Sequence, residues 1–191
     1  MKSTWILFLA IAAWHGTLAN SYGQGANASV QPEVGQRAID FELTIVKGEG
    51  YLSLSDTYKE GPTVLIFLRG LPVYKCTIDA SQVNALVNRA KVLAQSAHRV
   101  VLVYPGRAEG LERHAEQFLA SRKLPEPLVI VRDDDMNIVN QWGLRWDSPR
   151  ETAYPATFVL DQYGRIAWKK VSRSHAERSS IEEILKELRK L

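Results

Sequence analysis

Cysteine is nearly absent from this chain: Cys76 is the only one among 191 residues. One thiol cannot close an internal disulfide, so the fold must stand on its core. Cys76 is left as either a reactive thiol or a buried passenger. A concentrated charge is also missing. The formal net charge is +3 and the basic residues are scattered, without the stripe or face that a nucleic-acid binder presents. No Gly-rich loop follows any apparent strand, which argues against a nucleotide site. Asp133, Asp134 and Asp135 lack the alternating ligands of a Ca²⁺ loop and read as a turn and cap. His98, His114 and His175 lack the close pairing of a zinc motif and read as surface or boundary residues. The expectation is no metal, no cofactor and no nucleic-acid partner.

Long apolar runs are scarce too. The one at the start, Trp5 to Trp14, follows Lys2 and leads to Thr17-Leu18-Ala19. This is the layout of a secretory signal with a cut site after Ala19, the alternative being an uncleaved N-terminal anchor. The run is shorter than the roughly 20 residues of a membrane span, so no integral membrane domain is expected once the signal is removed. Export to the periplasm or the exterior follows, and with it an oxidising compartment. Residues 20–33, NSYGQGANASVQPE, have no periodicity and read as a flexible linker. Residues 34–191 then form a single domain. Hydrophobic residues make up 46% and charged residues 24%, an ordinary globular composition.

Within the domain the periodicity alternates. FELTIV and YLSLS flank KGEG and read as a hairpin. PTVLIFLRG, RVVLVYPG and PLVIVRD are apolar runs of the kind buried on both faces of a sheet. Between them, residues 78–97 carry Val83, Leu86, Val87, Ala90 and Leu93 at helical spacing. Residues 109–123 place Leu111, Ala115, Phe118 and Leu119 on one helical face. DDDMNIVNQWG is a short helix with an Asp cap and a Gly143 stop. ATFVLD and IAWKKV flank QYGR as a second hairpin, and SSIEEILKELRKL closes the chain as an amphipathic helix capped at Ser179 or Ser180. The expected fold class is α/β, a central mixed sheet flanked by helices with an N-terminal β-hairpin extension. Trp142 and Trp146 fit either the core or the active-site face.

Four segments carry a family likeness: VGQRAIDFEL, the strand FLRG followed by a Tyr and Cys76, DDDMNIVNQWGL, and YPATFVLDQYGRI. With these motifs in this order, the chain resembles the thioredoxin-like superfamily, and within it the alkyl hydroperoxide reductase C/thiol-specific antioxidant branch, the peroxiredoxin-like proteins. The resemblance spans about residues 34–190. It implies a thioredoxin-like fold and thiol redox chemistry. Set against the P-x-x-x-T-x-x-C motif of peroxiredoxins, Pro72 matches the Pro, Cys76 falls on the Thr and Asp79 on the attacking Cys. Set against a thioredoxin C-x-x-C, Cys76 matches the nucleophile and Asp79 replaces the resolving residue. Pro155 stands where peroxiredoxins carry an arginine; the thioredoxin likeness makes it a cis-proline that brings the Tyr154 backbone alongside Cys76. Cys76, Asp79 and Pro155 are thus the candidate catalytic residues. Arg69, Pro72, Tyr74 and Tyr154 are the candidate substrate contacts.

Cys76 lies at the strand-to-helix junction, where the helix end favours a thiolate and an accessible, reactive thiol is expected. Lys75 and Arg69 add positive charge nearby. Asp79 opposes it: two negative charges one helical turn apart, at roughly 5 to 6 Å and an effective dielectric near 20, repel by about 3 kcal/mol. The helix end offers about 0.3 to 1 kcal/mol in return, up to about 2 when partly buried. Two arrangements relieve the conflict. Asp79 can turn away and bond a backbone N–H, or it can accept the thiol proton. Two functions stay open: a single-cysteine oxidoreductase served by an external thiol reductant, or a non-catalytic relative that binds a partner protein or peptide on the Cys76/Pro155 face. Oligomeric state is not legible.

Overall fold

The computed structural model describes residues 30–71, 76–120, 122–174 and 176–191. The signal segment, residues 20–29 of the linker, Pro72, Tyr74, Lys75 and His175 lie outside the described residues. Ahead of Val34 the chain already holds onto the domain. Gln31 Nε2 donates to the Gly143 carbonyl at 3.1 Å, and Lys169 Nζ reaches the Pro32 carbonyl at 3.0 Å.

Strands β1 (Glu42–Thr44) and β2 (Tyr51–Ser53) pair antiparallel as the expected hairpin. Helix α1 (Leu54–Lys59) follows at once, where the alternation of YLSLS suggests only strand. Ser53 decides this: its hydroxyl accepts from the Asp56 N–H, and Leu54 and Tyr58, one turn apart, are both buried. The main sheet holds β3 (Thr63–Phe67), β4 (Arg99–Gly106), β5 (Leu128–Asp134), β6 (Ala156–Leu160) and β7 (Ile166–Val171) in the order β5-β4-β3-β6-β7. The pairs β3–β4 and β4–β5 are parallel, whereas β3–β6 and β6–β7 are antiparallel. This is the mixed sheet that helical alternation followed by a hairpin demands. The hairpin extension joins its edge through the Val46 N–H, which donates to the Ile130 carbonyl at 2.9 Å.

Alternate residues of the strands face two apolar layers. Val64, Ile66, Leu68, Val100, Leu102 and Tyr104 pack under one set of helices: α2 (Thr77–Asn88), α3 (Ala90–Leu93), α4 (Leu111–Leu119) and α6 (Ile181–Leu188). Leu65, Phe67, Val101, Val103 and Phe158 face α1 and α5 (Asn137–Gln141) on the other side, with Trp142 wholly buried against Phe67 and Phe158. Residues 78–97 do not make one helix. The Arg89 N–H bonds the Leu86 carbonyl, a tightened final turn, and the chain restarts as α3.

The acidic run makes the turn its composition suggests, but the N-cap position of α5 is Met136, not an Asp, and the Asp133 side chain reaches the helix end from three residues ahead. Asp133 Oδ1 and Oδ2 accept from the N–H groups of Ile138 and Val139 at 3.0 and 2.9 Å, and Asp135 accepts from the Ala108 N–H. Burial nevertheless pushes the Asp133 carboxyl up to about 6, against the pull of those backbone donors. At the far end, Ser180 and Glu183 form a capping box on α6. Among the described residues no helix is long and apolar enough to cross a membrane.

Candidate functional site

The site is built where β3 runs out. After Phe67 the backbone stays beside β4: the Leu68 N–H bonds the Val103 carbonyl and the Leu71 N–H bonds the Pro105 carbonyl, both at 3.0 Å. Gly70 makes the turn between them with φ +74°, and a Cβ there would stand 2.1 Å from the Pro105 oxygen. Only glycine fits both the backbone angle and the space. Cys76 is the N-cap of α2, with φ −79° and ψ 110°, and its carbonyl accepts from the Ala80 N–H at 3.2 Å. The strand-to-helix placement expected of a redox cysteine is therefore present.

The expected accessibility is not. Cys76 is 5% exposed. Asp79 explains why. It occupies the third helical position and is fully buried. Its Oδ2 accepts from the Gly70 N–H at 3.0 Å and its Oδ1 from Arg178 Nη2 at 2.6 Å. These bonds draw the first turn of α2 onto the end of β3. Of the two arrangements open to Asp79, the turned-away one is realised, toward a backbone N–H outside its own helix. The Arg178 guanidinium, from the segment ahead of α6, balances the carboxylate. The guanidinium offsets part of the repulsion weighed against a Cys76 thiolate, because an opposite charge at the carboxylate weakens its field.

Arg69 does not lend its charge freely to the thiol. It is 4% exposed and forks onto Glu151, Nε to Oε2 at 2.8 Å and Nη2 to Oε1 at 2.9 Å. The Thr152 hydroxyl also donates to the Arg69 carbonyl. The segment around residues 150–152 is thus pinned to the end of β3.

Pro155 differs from the cis expectation. The cis bond among the described residues is Glu126–Pro127, and Tyr154–Pro155 is trans. Pro155 enters β6 as a strand-start proline, its carbonyl accepting from the Ser172 N–H at 2.8 Å. The Tyr154 N–H is spent on the Leu144 carbonyl at 2.8 Å, and its ring stacks on Trp146 with centroids 4.6 Å apart. The Tyr154 amide is therefore not offered to Cys76. Pro155 still marks the site's end of the sheet, since its neighbour Ala156 pairs with Phe67.

Two residues of this site escape a reading of the sequence. Arg178 lies 99 positions from Asp79, so no local spacing connects them. Tyr104, in the apolar run of β4, reads as core. Its ring does pack there, tilted against Phe118 at 5.0 Å. Its hydroxyl, however, has no hydrogen-bond partner among the described residues. The signal was its place at the carboxyl end of a parallel strand, where open α/β sheets carry their sites. Burial first, then the charges of Asp79 and Cys76, push this phenol well above the usual tyrosine range.

Beside the site, a cavity of about 780 Å³ is lined by Leu71, Arg107, His114, Arg145, Arg150 and Glu151 among others. Tyr154 lines a different one, of about 510 Å³, with Lys169 and Arg173. Cys76 lines neither.

Compared with known folds, the chain is similar to the mitochondrial 2-Cys peroxiredoxin of Plasmodium falciparum, with TM-score 0.66 and 13% identity over 83% of this chain and 93% of that one. It is similar to the yeast mitochondrial 1-Cys peroxiredoxin, with TM-score 0.64 and 13% identity over 81% and 74% of the two chains. It is also similar to Mycobacterium tuberculosis AhpC, with TM-score 0.64 and 14% identity over 84% and 93%. No curated protein matches it by sequence. The model of the AhpC/TSA family matches residues 34–169, from ahead of the hairpin extension into β7. With a peroxiredoxin-type thioredoxin-like fold and a cysteine at the head of α2, the chain belongs to the AhpC/TSA family.

Proposed function

We propose that this protein is an exported, peroxiredoxin-like thiol oxidoreductase whose one redox residue is Cys76, resolved by an external thiol. The observation that carries this reading is the position of Cys76 as N-cap of α2, beside an Asp79 whose charge is balanced by Arg178. The chemistry balances with two thiols. The Cys76 thiolate attacks a hydroperoxide oxygen; the S–O bond forms, the O–O bond breaks, and the departing alkoxide takes a proton from solvent. A first external thiol displaces water from the sulfenic acid and forms a mixed disulfide. A second thiol releases Cys76 and leaves as the disulfide product. The yeast 1-Cys relative, whose thiol is resolved through glutathione/thioredoxin systems, supports an external reductant. Export rests on the leader pattern of residues 1–19. The test is peroxide- or disulfide-dependent oxidation of a supplied thiol by the mature protein and by Cys76→Ser. Turnover that disappears in the variant supports the reading; absent turnover, or turnover unchanged in the variant, rejects it.

The burial of Cys76 favours a second reading: a non-catalytic member of the family that binds a partner or extended peptide on the Cys76/Pro155 face. A Cys76 thiol that alkylates only after denaturation distinguishes it.

A further inference from the structure

At the end of the sheet away from the thiol lies a cavity whose charged lining is all of one sign. It measures about 540 Å³ and is lined by Arg37, Tyr58, Lys59, Gln162, Tyr163 and Arg165. Leu160, where β6 enters the turn of residues 161–165, pairs with Thr63 at the start of β3, so the cavity and Cys76 sit at opposite ends of the strands. Arg37 and Arg165 are direct antiparallel partners. The bonds on either side of them run from the Ala38 N–H to the Gly164 carbonyl at 2.8 Å and from the Ile166 N–H to the Gln36 carbonyl at 2.9 Å. The two arginines are therefore a non-hydrogen-bonded pair, the kind whose side chains stand closest. Like charges directly opposite each other destabilise a sheet. The Arg37 side chain has no hydrogen-bond or ion-pair partner among the described residues, and that of Arg165 has only the Gly35 carbonyl, 3.4 Å from Nη1. The neighbouring carboxylates are engaged elsewhere. Asp161 Oδ1 takes the N–H groups of Tyr163 and Arg165, Asp40 Oδ1 takes those of Phe41 and Ser55, and Asp56 pairs with Lys59 at 2.9 Å. Tyr58 is a second, independent sign of a ligand. It is 3% exposed, yet it lines the cavity. A Cβ on Gly164, where φ is +73°, would stand 2.5 Å from the ring carbon that bears the hydroxyl. That end of the ring is thus held at the turn between Tyr163 and Arg165. Its hydroxyl has no hydrogen-bond partner among the described residues, which is uncommon for a buried side chain.

We propose that this cavity binds a phosphate monoester, its phosphoryl dianion held between Arg37 and Arg165, with Lys59 adding charge and the Tyr58 hydroxyl donating to a phosphoryl oxygen. Two guanidinium forks suit a tetrahedral oxyanion, and a dianion relieves the repulsion between them. The volume is that of a small-molecule site and leaves room for the ester's organic body. The Tyr163 ring, 65% exposed, gives that body an apolar face. A soluble monoester and the headgroup of phosphatidic acid in a membrane present the same dianion. The site is independent of the thiol reading and stands whether or not Cys76 turns over.

The test is calorimetric titration of the purified protein with glycerol 3-phosphate at about 0.15 M salt, where diffuse surface attraction is screened. Sedimentation with phosphatidylcholine vesicles, with and without phosphatidic acid, is the second arm. Saturable binding of glycerol 3-phosphate is expected. It should weaken by about tenfold in Arg37→Gln and in Arg165→Gln, and by about threefold or more in Tyr58→Phe, which keeps the ring and removes the donor. Arg113→Gln, which removes an exposed arginine outside this cavity, and Cys76→Ser should bind as the parent does. Binding to the phosphatidic acid vesicles alone, with the same pattern among the variants, supports the proposal and makes the headgroup the source. Binding in neither arm overturns it. Succinate, a dianion without phosphorus, bound as tightly as glycerol 3-phosphate overturns it, because the cavity would then read charge alone. Arg113→Gln weakening binding as much as Arg37→Gln overturns it as well. Without ligand, Arg37→Gln should be as stable as the parent or more so, since a repulsion is removed; a clear loss of stability overturns the proposal by making the arginine a structural residue.

Discussion

Removal of the Asp79 carboxylate tests the site at its tightest point. Asp79→Ala removes the acceptor of the buried Gly70 N–H and the carboxylate that Arg178 Nη2 meets, where the arginine side chain is 10% exposed. Breaking a buried ion pair from one side costs about 3 to 5 kcal/mol, a large share of the roughly 5 to 15 kcal/mol that holds a domain together. Asp79→Asn is the milder probe. It keeps the shape and one acceptor for Gly70, and loses the charge-assisted bond, about 1.5 to 3 kcal/mol. Urea denaturation of wild type, Asp79→Asn, Arg178→Met and the double variant closes a cycle. A coupling of about 1 kcal/mol or more is expected, since the residues touch. The same Asp79→Asn protein decides the role of the carboxylate by the sign of a rate. If Asp79 is a lock balanced by Arg178, removing its charge shifts the balance at the site toward positive charge, and native Cys76 alkylates faster at neutral pH. If Asp79 is the base that takes the thiol proton, alkylation slows. Coupling near zero together with slower alkylation would refute the reasoning.

Three further outcomes are expected. Gly70→Ala places a Cβ against the Pro105 oxygen at a φ of +74°, and should lower stability by about 3 kcal/mol or more, given about 1 to 3 for the backbone strain alone; near-neutral stability in the same denaturation assay would contradict it. Ser180→Ala removes the side-chain half of the capping box on α6 and should cost about 1 kcal/mol, read as a shift in the urea midpoint with an unchanged slope. Asp133 is raised by burial to about 6 from an ordinary value near 3.8. Between those values the folded state holds more protons than the unfolded one, so stability should fall as pH rises from about 4 through about 6, by up to about 3 kcal/mol. Asp133→Asn should flatten that slope, and a slope unchanged in the variant would show that another group causes it.

The fold was legible because its signals are local. Apolar runs marked β3, β4 and β5, and the 3.6 period of Leu111, Ala115, Phe118 and Leu119 marked α4. Helix α1 was hidden because YLSLS alternates like a strand while Ser53 caps a helix. The break at Arg89 was hidden because the apolar spacing continues through it. At the site, the placement of Cys76 at a helix head was legible from the strand before it and the helix after it. The seating of that helix head on the end of β3 was not, because it runs through Asp79 meeting Gly70 and Arg178 across a long stretch of chain. Arg69 reads from the sequence as positive charge near the thiol, and its partner Glu151 is not legible there because it is 82 positions away. The cis expectation at Pro155 came from family likeness alone. The Tyr154 N–H and Pro155 carbonyl bonds belong instead to an ordinary trans entry into β6.

The most direct measurement on the central claim is the reactivity of the single thiol in the native protein. Cys76 should react with iodoacetamide, and form a dimedone-trappable sulfenic acid with hydrogen peroxide, at neutral pH without denaturant, as the oxidoreductase reading of a helix-head cysteine requires. A thiol that stays silent to both reagents until the protein unfolds would contradict the account and leave a partner-binding face in its place.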